Sequence, residues 1–221
     1  MKTIIFSDTH LKQHFENKKF QFLKTLCENA DRIIINGDFY DGYYLSCDQF
    51  LQSKWQQLFP ILKTKQTVYI AGNHDPLAEI SNKALVFATQ IVAKYQIVLN
   101  EKTLVIEHGN RVFKSKVERF PFLNNFFTRY VNEMLDAIIF NPNLPKFLKN
   151  LERKKLQRDN AKIKKIILPK IAANQIFVCG HTHLAEFLPE QNFINTGYID
   201  YHQASYLEII DQKLCLVVTS Y

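Results

Sequence analysis

Five short apolar runs in this chain each end on side chains of one chemical type, and this recurrence constrains the fold more than any other feature. Residues 3–7, 32–36, 67–71, 103–107 and 175–179 are rich in Ile, Val and Phe. Such runs are predicted to be strands buried on both faces. Each is followed at once by groups that bind metals or move protons. These are Asp8 and His10 in SDTHL, Asp38 and Asp41 in GDFYD, Asn73, His74 and Asp75 in GNHD, His108 in EHGN, and His181 and His183 in GHTH. Five of the seven histidines lie in these segments. In an α/β sheet the carboxyl ends of the strands line one crevice, so residues far apart in sequence are predicted to meet there.

Between the early runs lie stretches of helical period. Phe50, Leu51, Trp55, Leu58, Phe59 and Leu62 fall on one stripe, and Leu85, Ala88, Ile91, Val92 and Tyr95 on another. Strands alternating with helices imply an α/β sheet. The end of the chain reads differently, as strands 206–210 and 214–219 joined by Asp211 and Gln212. The mixture predicts two sheets packed together between helices. At 221 residues the chain is expected to form one domain, 1–221, large enough to fold without staples. Cys27, Cys47, Cys179 and Cys215 show no paired spacing, so four reduced thiols and a cytoplasmic setting are expected. No apolar run approaches the ~18 residues of a spanning helix, and Asp8 and His10 interrupt the first apolar stretch before a signal-peptide core forms.

Residues 110–173 stand apart and are expected to form a helical cap insertion. Although the net charge is +7, residues 110–170 hold 15 Lys and Arg against 5 Asp and Glu, while the remainder is slightly acidic. The basic character therefore belongs to this segment, and with it the expectation of an anionic partner. Leu123, Phe126, Phe127, Tyr130, Val131, Met134, Leu135, Ile138 and Ile139 follow the i, i+3, i+4, i+7 rule of an amphipathic helix. Asn141-Pro142-Asn143 and Pro145 end it. A basic helix is predicted over 146–168, with Leu156, Ile163, Ile166 and Ile167 inward.

Imidazole, carboxylate and amide ligands without thiolate suit borderline divalent ions such as manganese, iron or zinc, and manganese is the expected one. Two such ions a few ångströms apart clamp a phosphoryl group and lower the pKa of a bridging water, which makes a phosphoester the natural substrate. His74, beside the pair, is expected to protonate the leaving oxygen, with Asp41 orienting the imidazole. Asp75 precedes Pro76 and is read as a loop-shaping residue. His14 and His202 lie outside the motifs and are expected to be exposed or core histidines. Tyr40, Tyr43 and Tyr44 are expected to pack against the next helix, and Asn195-Thr196-Gly197 reads either as a turn near the site or as a plain strand end.

The ordered set DxH, GDxxD, GNHD, His-Gly and GHxH, spanning Asp8 to His183, resembles the calcineurin-like metallophosphoesterase family. The resemblance implies a four-layer α/β/β/α sandwich and a dinuclear phosphohydrolase working through a metal-bridging hydroxide. It also implies roles: Asp8, His10 and His183 as ligands of a first metal, Asn73, His108 and His181 of a second, and Asp38 as the bridge. Within the family, the 71 positions from Gly109 to Gly180 resemble the cap of the UDP-2,3-diacylglucosamine pyrophosphatases. An apolar helix beside a basic one fits that amphiphilic diphosphate and suggests peripheral contact with a membrane. The better-known branch of those enzymes has Arg where this chain has His74. The alternatives are a general phosphodiesterase or a nuclease using the basic segment on a phosphate backbone. A non-enzymatic scaffold of this fold is expected to have lost ligands, and here none is missing.

Overall fold

The computed structural model describes residues 1–114 and 145–221. Its first sheet has seven strands. β1 (Lys2–Phe6), β2 (Arg32–Asn36), β3 (Val68–Ile70) and β4 (Gln90–Val92) run parallel in that order. The second sheet has five: β5 (Tyr95–Leu99), β6 (Lys102–Ile106), β7 (Gln175–Cys179), β8 (Glu186–Leu188) and β9 (Phe193–Asn195), in the order β5-β6-β7-β9-β8. The chain then returns to the first sheet. β11 (Gln203–Ile210) pairs antiparallel with β1 and with β10 (Ile199–Asp200) on one side, and with β12 (Lys213–Ser220) on the other. Asp211 and Gln212 turn that last hairpin with φ of 47° and 68°, the left-handed pair that a tight two-residue turn requires.

The layers follow from the two-residue period of the strands. On β1 and β2, Ile4, Phe6, Ile33 and Ile35 face outward onto helices, while Ile5 and Ile34 face the other sheet. On β6 and β7, Leu104, Ile106, Ile176 and Val178 meet them from the opposite side. Val105, Phe177 and Cys179 point outward again, onto Ile163 and Ile167 of the helix Lys146–Ile167. The helices Asn17–Glu28 and Phe59–Thr64, with the turn of helix Lys54–Leu58, cover the far face of the first sheet through Phe20, Leu23, Trp55, Leu58 and Leu62. The architecture is the expected α/β/β/α sandwich.

Several local expectations need correction. The stripe from Leu85 to Tyr95 is not a helix: after a short 3-10 turn, Lys83–Val86, the chain forms β4 and enters β5. β-branched Ile91 and Val92 pair with β3, and the pairing overrides the 3.6-residue period. The stripe from Phe50 to Leu62 is broken at Ser53, whose extended ψ of 170° ends one helix while its hydroxyl caps the next. Ile166 is exposed, and Asn160 occupies the inner face of its helix instead. The stripe from Leu123 to Ile139 and the Asn141-Pro142-Asn143 break lie outside the described residues. All four cysteines are free; Cys27, Cys47 and Cys179 are buried and Cys215 is exposed. None of the described helices is long and apolar enough to cross a membrane.

Candidate metal centre

Because β1, β2 and β3 are parallel, and β6 and β7 likewise, the five polar segments emerge at the carboxyl ends of their strands. Main-chain bonds lace them together. Asp8 N donates to Gly37 O at 3.1 Å, and Thr9 N and His10 N both donate to Asp38 O at 3.0 Å. His181 N donates to Asp8 Oδ2 at 2.9 Å, and Gly180 N to His108 O at 2.9 Å. Asp75 is the loop-shaping residue expected: its carboxylate accepts from Gly72 N at 2.7 Å, Asp38 N at 3.0 Å and Phe39 N at 2.7 Å, and from the Tyr69 hydroxyl.

The lacing forces unusual backbone. Asp8, His10, Asp38, His181 and His183 all have φ between 42° and 68°, a region that costs energy for residues with a Cβ and is held when surroundings over-determine it. Neighbouring glycines make room. A Cβ on Gly37 would lie 2.5 Å from His108 Nδ1, and one on Gly180 would lie 2.3 Å from Asp8 Oδ2.

Among the described residues three groups result that could hold a divalent ion: two draw on the ligand sets implied by the resemblance, and a third joins His10, Asp41 and His74. In the first, Asp8, His10 and His183 converge. His10 Nε2 and His183 Nε2 lie 3.1 Å apart, and Asp8 Oδ1 is 3.3 Å from the latter and 3.9 Å from the former. Asp8 Oδ1 is buried yet accepts no well-directed hydrogen bond. An orphaned carboxylate oxygen facing two imidazole nitrogens is costly unless a cation satisfies it, so the residues fit a metal. In the second group Asp38, His108 and His181 converge, with His108 Nε2 3.2 Å from both Asp38 Oδ2 and Asn73 Oδ1. His108 Nδ1 donates to Asn36 O at 2.8 Å, which aims Nε2 at the centre.

In the third group, His74 Nδ1 pairs with Asp41 Oδ1 at 2.8 Å, leaving Nε2 directed toward the centre, 3.8 Å from Asp38 Oδ2. The electrostatics separate the histidines. Burial, aided by His74, holds the His10 imidazole well below its ordinary range. Burial would also lower His74 and His108, but the carboxylates outweigh it. Asp38 and Asp41 push His74 up to about 9, and Asp38 and Asp8 push His108 up to about 10. Burial opposes ionisation of Asp38 and Asp8 as well, yet His108 with His74, and His108 with His183, hold them below the usual carboxylate range.

His14 and His202 are exposed and join none of the groups. Tyr40 is buried and stacks on Phe50, as expected. Tyr43 is not fully covered by a helix: its ring centroid lies 4.0 Å from that of His74, and it lines a 470 Å³ groove. Asn195-Thr196-Gly197 is the end of β9 and the two residues that follow it, and it lies near the site, with Thr196 Oγ1 2.8 Å from Ser7 Oγ. Sequence reasoning did not single out Ser7 or Asn160, both fully buried and hydrogen-bonded around the GHTH loop or its neighbours.

Fold and site together define a sandwich hydrolase whose strand ends gather overlapping groups of metal-type ligands. Residues 1–185 match the family described as Calcineurin-like phosphoesterase, and the chain belongs to that family. Its members hydrolyse phosphoesters with divalent metals. Among solved structures the chain is similar to Yfce, a phosphoesterase from E. coli, at 17% identity over 100% of each chain with a TM-score of 0.47. It is also similar to an archaeal phosphodiesterase, at 13% identity over 99% of each chain with a TM-score of 0.49. A third is wild-type Vps29 from Entamoeba histolytica complexed with zinc, at 12% identity over 100% of this chain and 99% of that one, TM-score 0.45. No curated protein matches the chain.

Proposed function

We propose that this phosphoesterase is dinuclear, with Asp8, His10 and His183 holding one ion, Asn73, His108 and His181 the other, and Asp38 bridging. The observation that carries the reading is the orphaned Asp8 Oδ1 aimed at two imidazole nitrogens beside a second, separately built ligand group. Two bound divalent ions, manganese by preference, would supply positive charge for the phosphoryl oxygens and activate water. The chain's own residues do the rest. His74 gives its Nε2 proton to the departing oxygen, and Asp41 fixes the ring and favours its protonated form. Tyr43, packed against the His74 ring, limits that ring's movement.

The substrate is read as an anionic amphiphile with a phosphodiester or diphosphate linkage, of which a UDP-diacylglucosamine is one form. The support is local: Phe147 and Leu151 are 63% and 58% exposed on a helix that also carries Lys149, Arg153, Lys154 and Lys155. Apolar and cationic groups on one helix suit an acylated phosphate or the surface of an anionic membrane. Residues 1–221 are read as one catalytic unit with an insertion at 110–173, working in a reducing, cytoplasmic setting. The test is hydrolysis with Mn²⁺ of UDP-diacylglucosamine, nucleotide sugars, cyclic nucleotides, bis-(p-nitrophenyl) phosphate and single-stranded DNA. Preference for the acylated diphosphate supports the substrate reading, and preference for DNA assigns the basic segment to a nuclease.

A further inference from the structure

Among the described residues, Asn160 of the insertion's helix makes several hydrogen bonds to the loop that presents His181 and His183 and to its neighbours. Asn160 lies in the second half of the helix Lys146–Ile167, is 0% exposed, and uses its whole amide. Its Oδ1 accepts from Thr182 Oγ1 at 2.5 Å and from Asn195 Nδ2 at 3.0 Å. Its Nδ2 donates to Leu184 O at 3.2 Å and to Glu186 Oε2 at 2.9 Å. Thr182 separates the two histidines and Leu184 follows the second, so Asn160 grips the chain on either side of His183. Both histidines have left-handed backbone, φ 68° and 59°, a conformation that persists only when neighbours over-determine it. Lys164 Nζ, one turn along the same helix, holds the other Glu186 oxygen at 2.7 Å and fixes that end of the network.

We propose that Asn160 is a positioning residue for the metal centre, through which docking of the insertion's helix sets the geometry of His181 and His183. The inference rests on the proposed dinuclear site, and it links the segment that varies the substrate surface to the segment that holds the ions. A plain packing role would make Asn160 matter for stability alone, whereas a positioning role makes it matter for ion affinity at unchanged fold.

The experiment is calorimetric titration of the metal-free full chain with Mn²⁺ alone, paired with thermal melting. Asn160→Ala is expected to bind Mn²⁺ about 10- to 100-fold more weakly than wild type, the loss typical of partners that orient metal ligands. Ile163→Ala, on the same helix and packed in the apolar cluster of Val105, Phe177, Cys179 and Phe193, makes none of the polar contacts of the network and should lower the melting temperature and keep wild-type affinity. Thr182→Val should lose affinity like Asn160→Ala, and Thr182→Ser, which keeps the hydroxyl, should retain it. Wild-type affinity in Asn160→Ala, or an equal loss in Ile163→Ala, overturns the proposal. If Asn160→Ala does not fold, equal affinities of Thr182→Val and Thr182→Ser overturn it. Failure of the wild-type chain to bind Mn²⁺ would instead remove the metal centre itself, a distinct result read in the same titration.

Discussion

His74 carries the chemistry most open to test at the level of one side chain. Its Nδ1 is committed to Asp41, and despite burial Asp38 and Asp41 push the imidazole up to about 9 in the metal-free chain, so the carboxylates favour a proton that Nε2 can offer. His74→Ala is expected to cut turnover by roughly 10²- to 10⁴-fold on an alkyl phosphodiester, whose leaving oxygen needs a proton. On a p-nitrophenyl ester, whose leaving group is already stable as an anion, the deficit should shrink. Steady-state kinetics on both esters decides the role; equal losses would place His74 outside the proton transfer. The residues of this site were legible in the sequence because each sits in a short motif after an apolar run. Asn160 was not, because its partners Thr182, Leu184, Glu186 and Asn195 are 22 to 35 residues away and nothing local marks a buried asparagine on a basic helix.

Among the elements, the buried parallel strands were the most legible. Residues 32–36 and 175–179 are strands at the bounds expected, since continuous apolar runs have few other uses. β4 and the first residue of β5 fall on a stripe of helical period because β4 is half-exposed, and Ile91, Val92 and Tyr95 happen to fit a 3.6-residue spacing. The helix Asn17–Glu28, whose Phe20, Leu23, Leu26 and Cys27 line its buried face, was not anticipated, although its spacing carries the signal. The basic helix was anticipated, and its exposed apolar half yields a prediction. If it meets acyl chains, replacing Phe147 and Leu151 with Ser should raise KM for an acylated diphosphate roughly tenfold, given ~0.8 kcal/mol per buried methylene. KM for bis-(p-nitrophenyl) phosphate should not move. An equal rise for both substrates would mean that these side chains support the fold and do not contact lipid.

For the whole molecule, the order of strands could not be read from the chain. β11 returns from the end of the sequence to lie beside β1, and the second sheet is assembled from β5, β6, β7, β9 and β8. Yet this topology puts the five motifs at one edge, where each strand end supplies one or two groups to a shared centre. The sandwich holds residues with costly backbone and orphaned polar atoms at that edge and packs its three apolar clusters behind it. Such a division is expected when a rigid scaffold positions a strained site.

The central claim is that this edge binds two divalent ions, and titration of the metal-free chain with Mn²⁺ tests it most directly. His108 is pushed up to about 10 by Asp38 and Asp8 despite its burial, so it holds a proton in the metal-free protein at neutral pH. An imidazole coordinates only when neutral, so the ion must displace that proton and binding must strengthen as pH rises below about 10. The account predicts about two ions per chain in wild type, at most one held weakly in Asp38→Ala, and affinity rising toward tenfold per unit between about pH 6.5 and 8.5. A single pH-independent ion, or two ions retained in full by Asp38→Ala, would contradict it.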